Sequence, residues 1–256
     1  MRTAILTLLG TIVPLLLLSG CADSGSKEDT KTFTYAMSGM YRPFNFKKGG
    51  ELVGFDVDIG RELARRMGTE PDPVTNPWQT IIQGLKAKKY DAILGSMAIT
   101  DERLEQVDFS RPYYRSGAQI FVQAGNGAVQ TAEDLEGKRI GVVKASTFRD
   151  VALELTDESS VVGYDSDVIA LQDLTTGRID AVITDKVVGL AAIKNNDLPI
   201  RPVGEPLFVD RMGIAVRKSD DALLQRINRA LEDVIEDGTY ERISKKWFGR
   251  DILGEE

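Results

Sequence analysis

Residues 91–103 read Asp-Ala-Ile-Leu-Gly-Ser-Met-Ala-Ile-Thr-Asp-Glu-Arg, a short apolar run that passes through small residues into a helix start carrying an arginine. These residue types at this spacing suit the capture of a carboxylate. Gly95 and Ala98 allow a ligand close to the backbone, amides freed at a helix N-terminus donate to an anion, and the Arg103 guanidinium grips two oxygens at once. A surface loop before a salt-bridged helix uses the same letters, so the rest of the chain has to decide between them.

For Arg103 to face a cleft, a strand must carry it to a sheet edge. Apolar, β-branched runs bounded by Gly, Asp or Ser predict strands over 32–36, 91–94, 118–122, 139–143, 181–184 and 213–216. Helices are predicted between them, over 58–67, 78–87, 146–155, 168–175, 187–193 and 221–235; Ile59, Leu63 and Met67 share one face of the first, which stops at Gly68. The alternation predicts an α/β fold with a parallel-rich sheet covered on both faces. In such sheets ligands bind beyond the carboxyl ends of strands, where both Arg103 and Asp185 fall.

Composition removes whole classes of chemistry. There is no histidine, and Cys21 is the only cysteine, so the commonest metal ligand, the commonest general base and a thiol nucleophile within the fold are all missing. No metal or other cofactor is expected. The net charge of -7, with 28% charged residues and no basic stripe, argues against a nucleic-acid surface.

The N-terminus carries one basic residue, Arg2, then an apolar stretch over 4–18 that ends in Leu18-Ser19-Gly20-Cys21. This predicts a lipoprotein signal peptide over 1–20 with Cys21 as the lipidated residue. The stretch is shorter than the roughly 20 apolar residues of a spanning helix. Residues 21–31, rich in Ser, Gly, Asp and Lys, read as a flexible tether.

Six fragments, in this order, resemble the polar amino-acid-binding family of periplasmic solute-binding proteins that serve ABC importers. They are Tyr41-Arg42-Pro43-Phe44, Gly54-Phe55-Asp56-Val57-Asp58, Ile99-Thr100-Asp101-Glu102-Arg103, Asp108-Phe109-Ser110-Arg111-Pro112-Tyr113-Tyr114, and the closing Asp237-Gly238-Thr239-Tyr240 with Lys246-Trp247-Phe248-Gly249. The resemblance implies a two-lobed α/β periplasmic-binding-protein fold, type II and clamp-like, with a hinge crossed twice. Lobe 1 would comprise 32–116 and 212–256, lobe 2 117–211, with crossings near 115–118 and 209–212.

By position, the resemblance makes Arg103 the anchor of a ligand α-carboxylate, assisted by backbone amides around Ser96, Ala98 and Thr147 within the segments Gly95-Ser96-Met97-Ala98 and Ser146-Thr147. Asp185 becomes the partner of the α-ammonium; a helix N-cap is its other, compatible reading. Tyr41 and Trp78 would sandwich the ligand side chain, with Phe148 adding apolar area, and Lys144 could reach a side-chain oxygen. Ser38 stands where relatives that bind cationic or amide side chains often carry an aspartate. Ala98 stands where they usually carry a hydroxyl. With no anion at Ser38, a neutral polar or amide side chain is expected over a strongly cationic one.

The function implied is an extracytoplasmic, lipid-anchored monomer that captures an amino acid or related zwitterion by lobe closure and hands it to permease subunits, without catalysis. An enzyme of the same fold, dehydrating prephenate or arogenate, would need a glutamate just after Asp185, where this chain has Lys186-Val187-Val188-Gly189. A sensor domain passing its closed form to a signalling receptor would have the same cleft.

Overall fold

The computed structural model describes residues 31–254. The segment read as a signal peptide, Cys21 and the tether through residue 30 lie outside the described residues. Along β1 (Thr32–Met37), Phe33, Tyr35 and Met37 enter one apolar cluster and Ala36 another, the two-residue period of a strand covered on both faces. Three short strands follow, β2 (Met40–Tyr41), β3 (Asn45–Lys48) and β4 (Glu51–Val53), forming a small antiparallel sheet that the alternation of strands and helices does not predict.

The chain then turns at Gly54 (φ 136°), where a Cβ would stand 2.1 Å from the Phe44 carbonyl oxygen, so only glycine fits. α1 (Phe55–Arg66) lays Ile59, Leu63 and Ala64 on the first cluster. β5 (Glu70–Thr75) contains Pro71 and Pro73, which it tolerates as an edge strand paired on one side only. A 3-10 turn over Trp78–Thr80 precedes α2 (Ile81–Lys86). The fully buried β6 (Ala92–Ala98), then α3 (Asp101–Gln106), β7 (Val107–Phe109) and β8 (Tyr114–Gln123) complete the first half.

In the second half β9 (Ile140–Val143), α4 (Thr147–Leu155), β10 (Val161–Tyr164), α5 (Asp167–Thr175), β11 (Ala181–Asp185) and α6 (Lys186–Asn196) alternate without interruption. The chain returns through β12 (Ile200–Arg217) to α7 (Asp221–Glu236) and α8 (Thr239–Phe248). Ile227, Ala230, Leu231 and Val234 of α7 keep helical spacing and close the first core. A second pair of clusters, one around Ile120, Val142 and Ile183 and one around Phe121, Leu174 and Val182, covers the two faces of the other half.

One sheet spans both halves in the order β10-β9-β11-β8-β12-β6-β1-β5, with β7 also on β12. The sheet is less parallel than predicted: β8 and β12 run antiparallel to every strand they pair with. Helices α4, α5 and α6 lie between β8 and β12 in the chain, yet the two strands pair antiparallel, so the helix-strand alternation does not fix strand direction there. The two segments read as crossings pair with each other, Arg115 opposite Arg211 and Ala118 opposite Phe208. No helix among the described residues is long and apolar enough to cross a membrane.

A buried carboxylate ties the first half together. Asp56 accepts hydrogen bonds from the Tyr113 hydroxyl (2.7 Å), Asn45 Nδ2 (2.7 Å) and Ser96 Oγ (3.0 Å), and the Tyr113 hydroxyl accepts in turn from the Ser96 amide (2.9 Å). Asn45 Oδ1 extends the chain to Ser38 Oγ and the Gly39 amide. Burial still pushes the Asp56 carboxyl up to about 7, against the lowering effect of its three donors. Tyr113→Phe removes one donor and strands the buried Ser96 amide, so unfolding free energy should fall by about 1–3 kcal/mol. A urea titration checks it: an unchanged midpoint would show that the network contributes nothing to stability.

Candidate functional site

Ser96 sits in the left-handed region at φ 60°, and so does Ala145 in the other half at φ 56°. Both are non-glycine residues held in a conformation that costs energy, and they flank one cavity. β6 supplies its floor: Gly95, Ser96 and Ala98 line it, whereas Met97 packs beneath with Ile81, Leu85 and Ile93. Strand alternation places Met97 on the opposite face from Ser96 and Ala98, so it lies outside this cavity and borders the adjoining one with Trp78 and Arg103. Gly95 has a role the sequence did not disclose, since a Cβ there would stand 3.2 Å from Met37 Cα on the adjacent β1. Its smallness serves strand packing at a wall the ligand shares.

Arg103 follows from β6 through the cap of α3, where Thr100 Oγ1 accepts from the Arg103 amide (3.2 Å). Its guanidinium donates to the Ala98 carbonyl (2.9 Å) and, across the cleft, to the Ala145 carbonyl (3.4 Å), lying 5.6 Å from the Trp78 ring centroid. Burial lowers its pKa, opposed chiefly by Asp210, but an arginine stays charged at this site. Trp78 Nε1 donates to the same Ala145 carbonyl (3.1 Å).

Ser146, Thr147 and Phe148 line the facing wall at the start of α4. The Ser146 hydroxyl donates to the Val143 carbonyl (2.6 Å) and the Thr147 hydroxyl to Asp210 (3.0 Å). No side chain caps this helix, so its first amides are left for an anion. Ser38 and Tyr41 close the far end, Tyr41 stacked on Phe44 with ring centroids 5.3 Å apart.

Two charged residues fall elsewhere than the sequence predicts. Lys144 is half exposed and pairs with Asp165 (3.0 Å), an acceptor it shares with Gln79 Nε2 (3.0 Å). It does not line the cavity, because the strand end directs it to the carboxylate on the neighbouring loop. Asp185 is fully buried and outside the lining: Oδ1 accepts from Ser116 Oγ (2.7 Å) and caps α6 through the Val187 amide (2.7 Å). Its Oδ2 and the Tyr114 hydroxyl are the buried side-chain polar atoms without a partner among the described residues. Burial raises the Asp185 carboxyl to about 7.

Sequence reasoning missed Met40, Val143, Asp165, Ser166, Asp167 and Met212, all of which line the cavity. Asp167 matters most. It is 4% exposed at the first position of α5, with Thr184 Oγ1 donating to its Oδ1, and burial raises its carboxyl to about 6. Tyr41, which lines the cavity with Asp167, has its hydroxyl raised first by burial and then by Asp185 and Asp167. The signal was present as two acids bracketing the N-cap Ser166 at a strand end, but the pattern reads as ordinary capping. With no anion at Ser38, the cavity still carries a side-chain carboxylate, at Asp167.

The cavity thus sets a guanidinium and free helix amides against the buried carboxylate of Asp167, with Asp185 buried outside the lining; opposite charges across one cavity are the arrangement that recognises a zwitterion. Among the described residues no cluster of three or more His, Cys, Asp or Glu could hold a metal ion. The family model of bacterial extracellular solute-binding proteins, family 3, matches residues 33–250. The chain is 34% identical over 236 residues to the L-cystine-binding protein TcyJ of Escherichia coli strain K12, covering 90% of this chain and 89% of the relative. It is 37% identical over 219 residues to ABC transporter arginine-binding protein 1 of the same strain, covering 84% and 89%. The solved structure of the arginine-, lysine-, histidine-binding protein ArtJ from the thermophilic bacterium Geobacillus stearothermophilus matches with a TM-score of 0.82 at 32% identity, over 86% of this chain and 96% of that one. The nine-stranded sheet with its paired crossings is accordingly the two-lobed clamp of amino-acid-binding proteins. On a match that runs from the first strand to the last helix, the chain belongs to the bacterial extracellular solute-binding proteins, family 3.

Proposed function

We propose that this protein captures an amino acid between its lobes and delivers it to the permease of an ABC importer. The observation that carries this reading is the opposition, across one cavity, of Arg103 to the buried carboxylate of Asp167, with an unpartnered oxygen on Asp185, which is buried outside the lining. The relatives are named for binding cystine, arginine, lysine and histidine, one of them as an ABC transporter component. All of these ligands share the α-carboxylate and α-ammonium that such a cleft recognises. Arg103 and the first amides of α4 take the carboxylate; Asp185, through the oxygen that lacks a partner, takes the ammonium. Trp78, Tyr41 and Phe148 enclose the side chain, with Ser96 and Ala98 as the floor. The ligand is released unchanged, and the lobes, divided at 117 and 212, turn about the paired crossings in β8 and β12. The protein acts as a monomer held to the membrane by a lipid on Cys21.

Three measurements test this. Arg103→Ala removes one partner of a desolvated charge pair, which costs about 2–5 kcal/mol; calorimetry should show affinity for the best-binding amino acid reduced at least about 30-fold. Unchanged affinity in a folded variant would refute the site.

Asp185→Asn should weaken amino-acid binding and also alter stability in a pH-dependent way. The Asp185 carboxyl rises from 3.8 to about 7 on folding, so the folded state holds its proton longer than the unfolded chain. That contribution to stability is complete below about pH 4 and is lost as pH rises through about 7. Without added ligand, the stability of wild type relative to Asp185→Asn should therefore fall over this range, by up to about 4 kcal/mol. Urea midpoints of both proteins at pH 5 and pH 8 measure it, and a pH-independent difference would show that the carboxylate is not desolvated. Saturating amino acid should flatten the slope.

For the anchor, Cys21→Ser should leave the chain unprocessed or release it into the soluble fraction. Normal processing with full membrane retention would contradict lipidation at Cys21.

A further inference from the structure

The charges around the cavity do not balance against a simple zwitterion. Arg103 is the one cationic lining residue, and a bound carboxylate would engage it. Asp165 is neutralised by its 3.0 Å ion pair with Lys144. Asp210 holds the Thr147 hydroxyl and lies in the field of Arg103. Asp185, on the reading above, takes the α-ammonium. Asp167 is left over: it is buried, it lines the cavity, it receives one hydroxyl from Thr184, and among the described residues it forms no ion pair. Arg42 borders an adjoining groove together with Asp167, but its guanidinium lies 3.9 Å over the Phe46 ring and does not pair with the carboxylate.

We propose that Asp167 is a specificity-determining residue that binds a positive charge on the ligand side chain, so that the cleft selects amino acids carrying a guanidinium or ammonium beyond the α-ammonium. This rests on the amino-acid-binding reading and narrows it to a ligand of net charge +1. A buried carboxylate without a countercharge is costly, and a ligand cation supplies the missing partner. The surroundings fit the rest of such a side chain: Tyr41 and Trp78 offer aromatic faces that attract cations. Lys144, turned outward to Asp165, leaves no ammonium to repel it. The anion absent at Ser38 is supplied from the opposite lobe, at the start of α5.

The test uses isosteric pairs that differ in side-chain charge, arginine with citrulline and lysine with 6-hydroxynorleucine, titrated by calorimetry into the purified full chain. Wild type should prefer the charged member of each pair at least about 30-fold, the loss expected when one partner of a desolvated charge pair is removed. Asp167→Asn should lose arginine affinity far more than citrulline affinity, collapsing the ratio, and Asp167→Glu should retain the preference. Asp185→Asn should instead weaken both members of a pair together. Citrulline binding shows in each case that the variant is folded. Equal binding of arginine and citrulline by wild type, or an unchanged ratio in Asp167→Asn, would overturn the assignment while leaving amino-acid binding intact. Equal weakening of both ligands by Asp167→Asn would also overturn it, by making Asp167 the α-ammonium partner. If wild type bound none of the four, the cationic-side-chain assignment would be overturned, and calorimetry with the remaining amino acids, cystine included, would decide the amino-acid-binding reading separately.

Discussion

A carboxylate taken out of water must find donors or a countercharge, and this constraint sorts the buried aspartates Asp56, Asp185 and Asp167. Asp56 meets it internally, with three donors drawn from β3, β6 and the approach to β8. The result is structural: Ser96 is held in its left-handed turn, and with it the cavity floor and the line of backbone that leads to Arg103. Asp185 and Asp167, equally buried, meet it incompletely. One oxygen of Asp185 has two donors and the other has none, and Asp167 has a single hydroxyl. Evolution has left the deficit on one side of the cleft and an arginine on the other. A ligand able to repair both at once is bound by the same physics that assembles lobe 1.

The elements nearest the chemistry were largely legible in the sequence. The passage from β6 into α3 follows from an apolar run, a capping threonine and the acidic first turn Asp101-Glu102, all local effects with short-range causes. Asp185 as the cap of α6 is equally local, and the structure shows that bond directly. What could not be read depends on distant partners. Gly95 owes its identity to Met37 on a neighbouring strand, and Lys144 is turned outward by Asp165. Asp167 is a cavity residue only because α5 is packed with its N-terminus toward β2 and Tyr41. The antiparallel run of β8 and β12 was invisible for a related reason: direction is decided by which strands meet, and sequence neighbours say little about a pairing 77 or more residues apart, from Ile200 opposite Gln123 onward.

The Ala145 carbonyl receives both Trp78 Nε1 and a nitrogen of Arg103, so the guanidinium proposed to anchor a carboxylate also ties the first half of the chain to the second. A ligand carboxylate that engages this face of Arg103 does not meet an arginine stripped of partners; it substitutes an ionised acceptor for a neutral one. The binding energy realised is then the difference between two hydrogen-bonded arrangements rather than the full strength of an ion pair in isolation. Such an exchange lowers the gain on loading, and it lowers the barrier to unloading by the same logic, because Arg103 has a ready alternative acceptor as the carboxylate leaves. For a carrier, whose usefulness depends on surrendering its cargo as much as on seizing it, a modest affinity built from replaceable contacts is the better thermodynamic compromise.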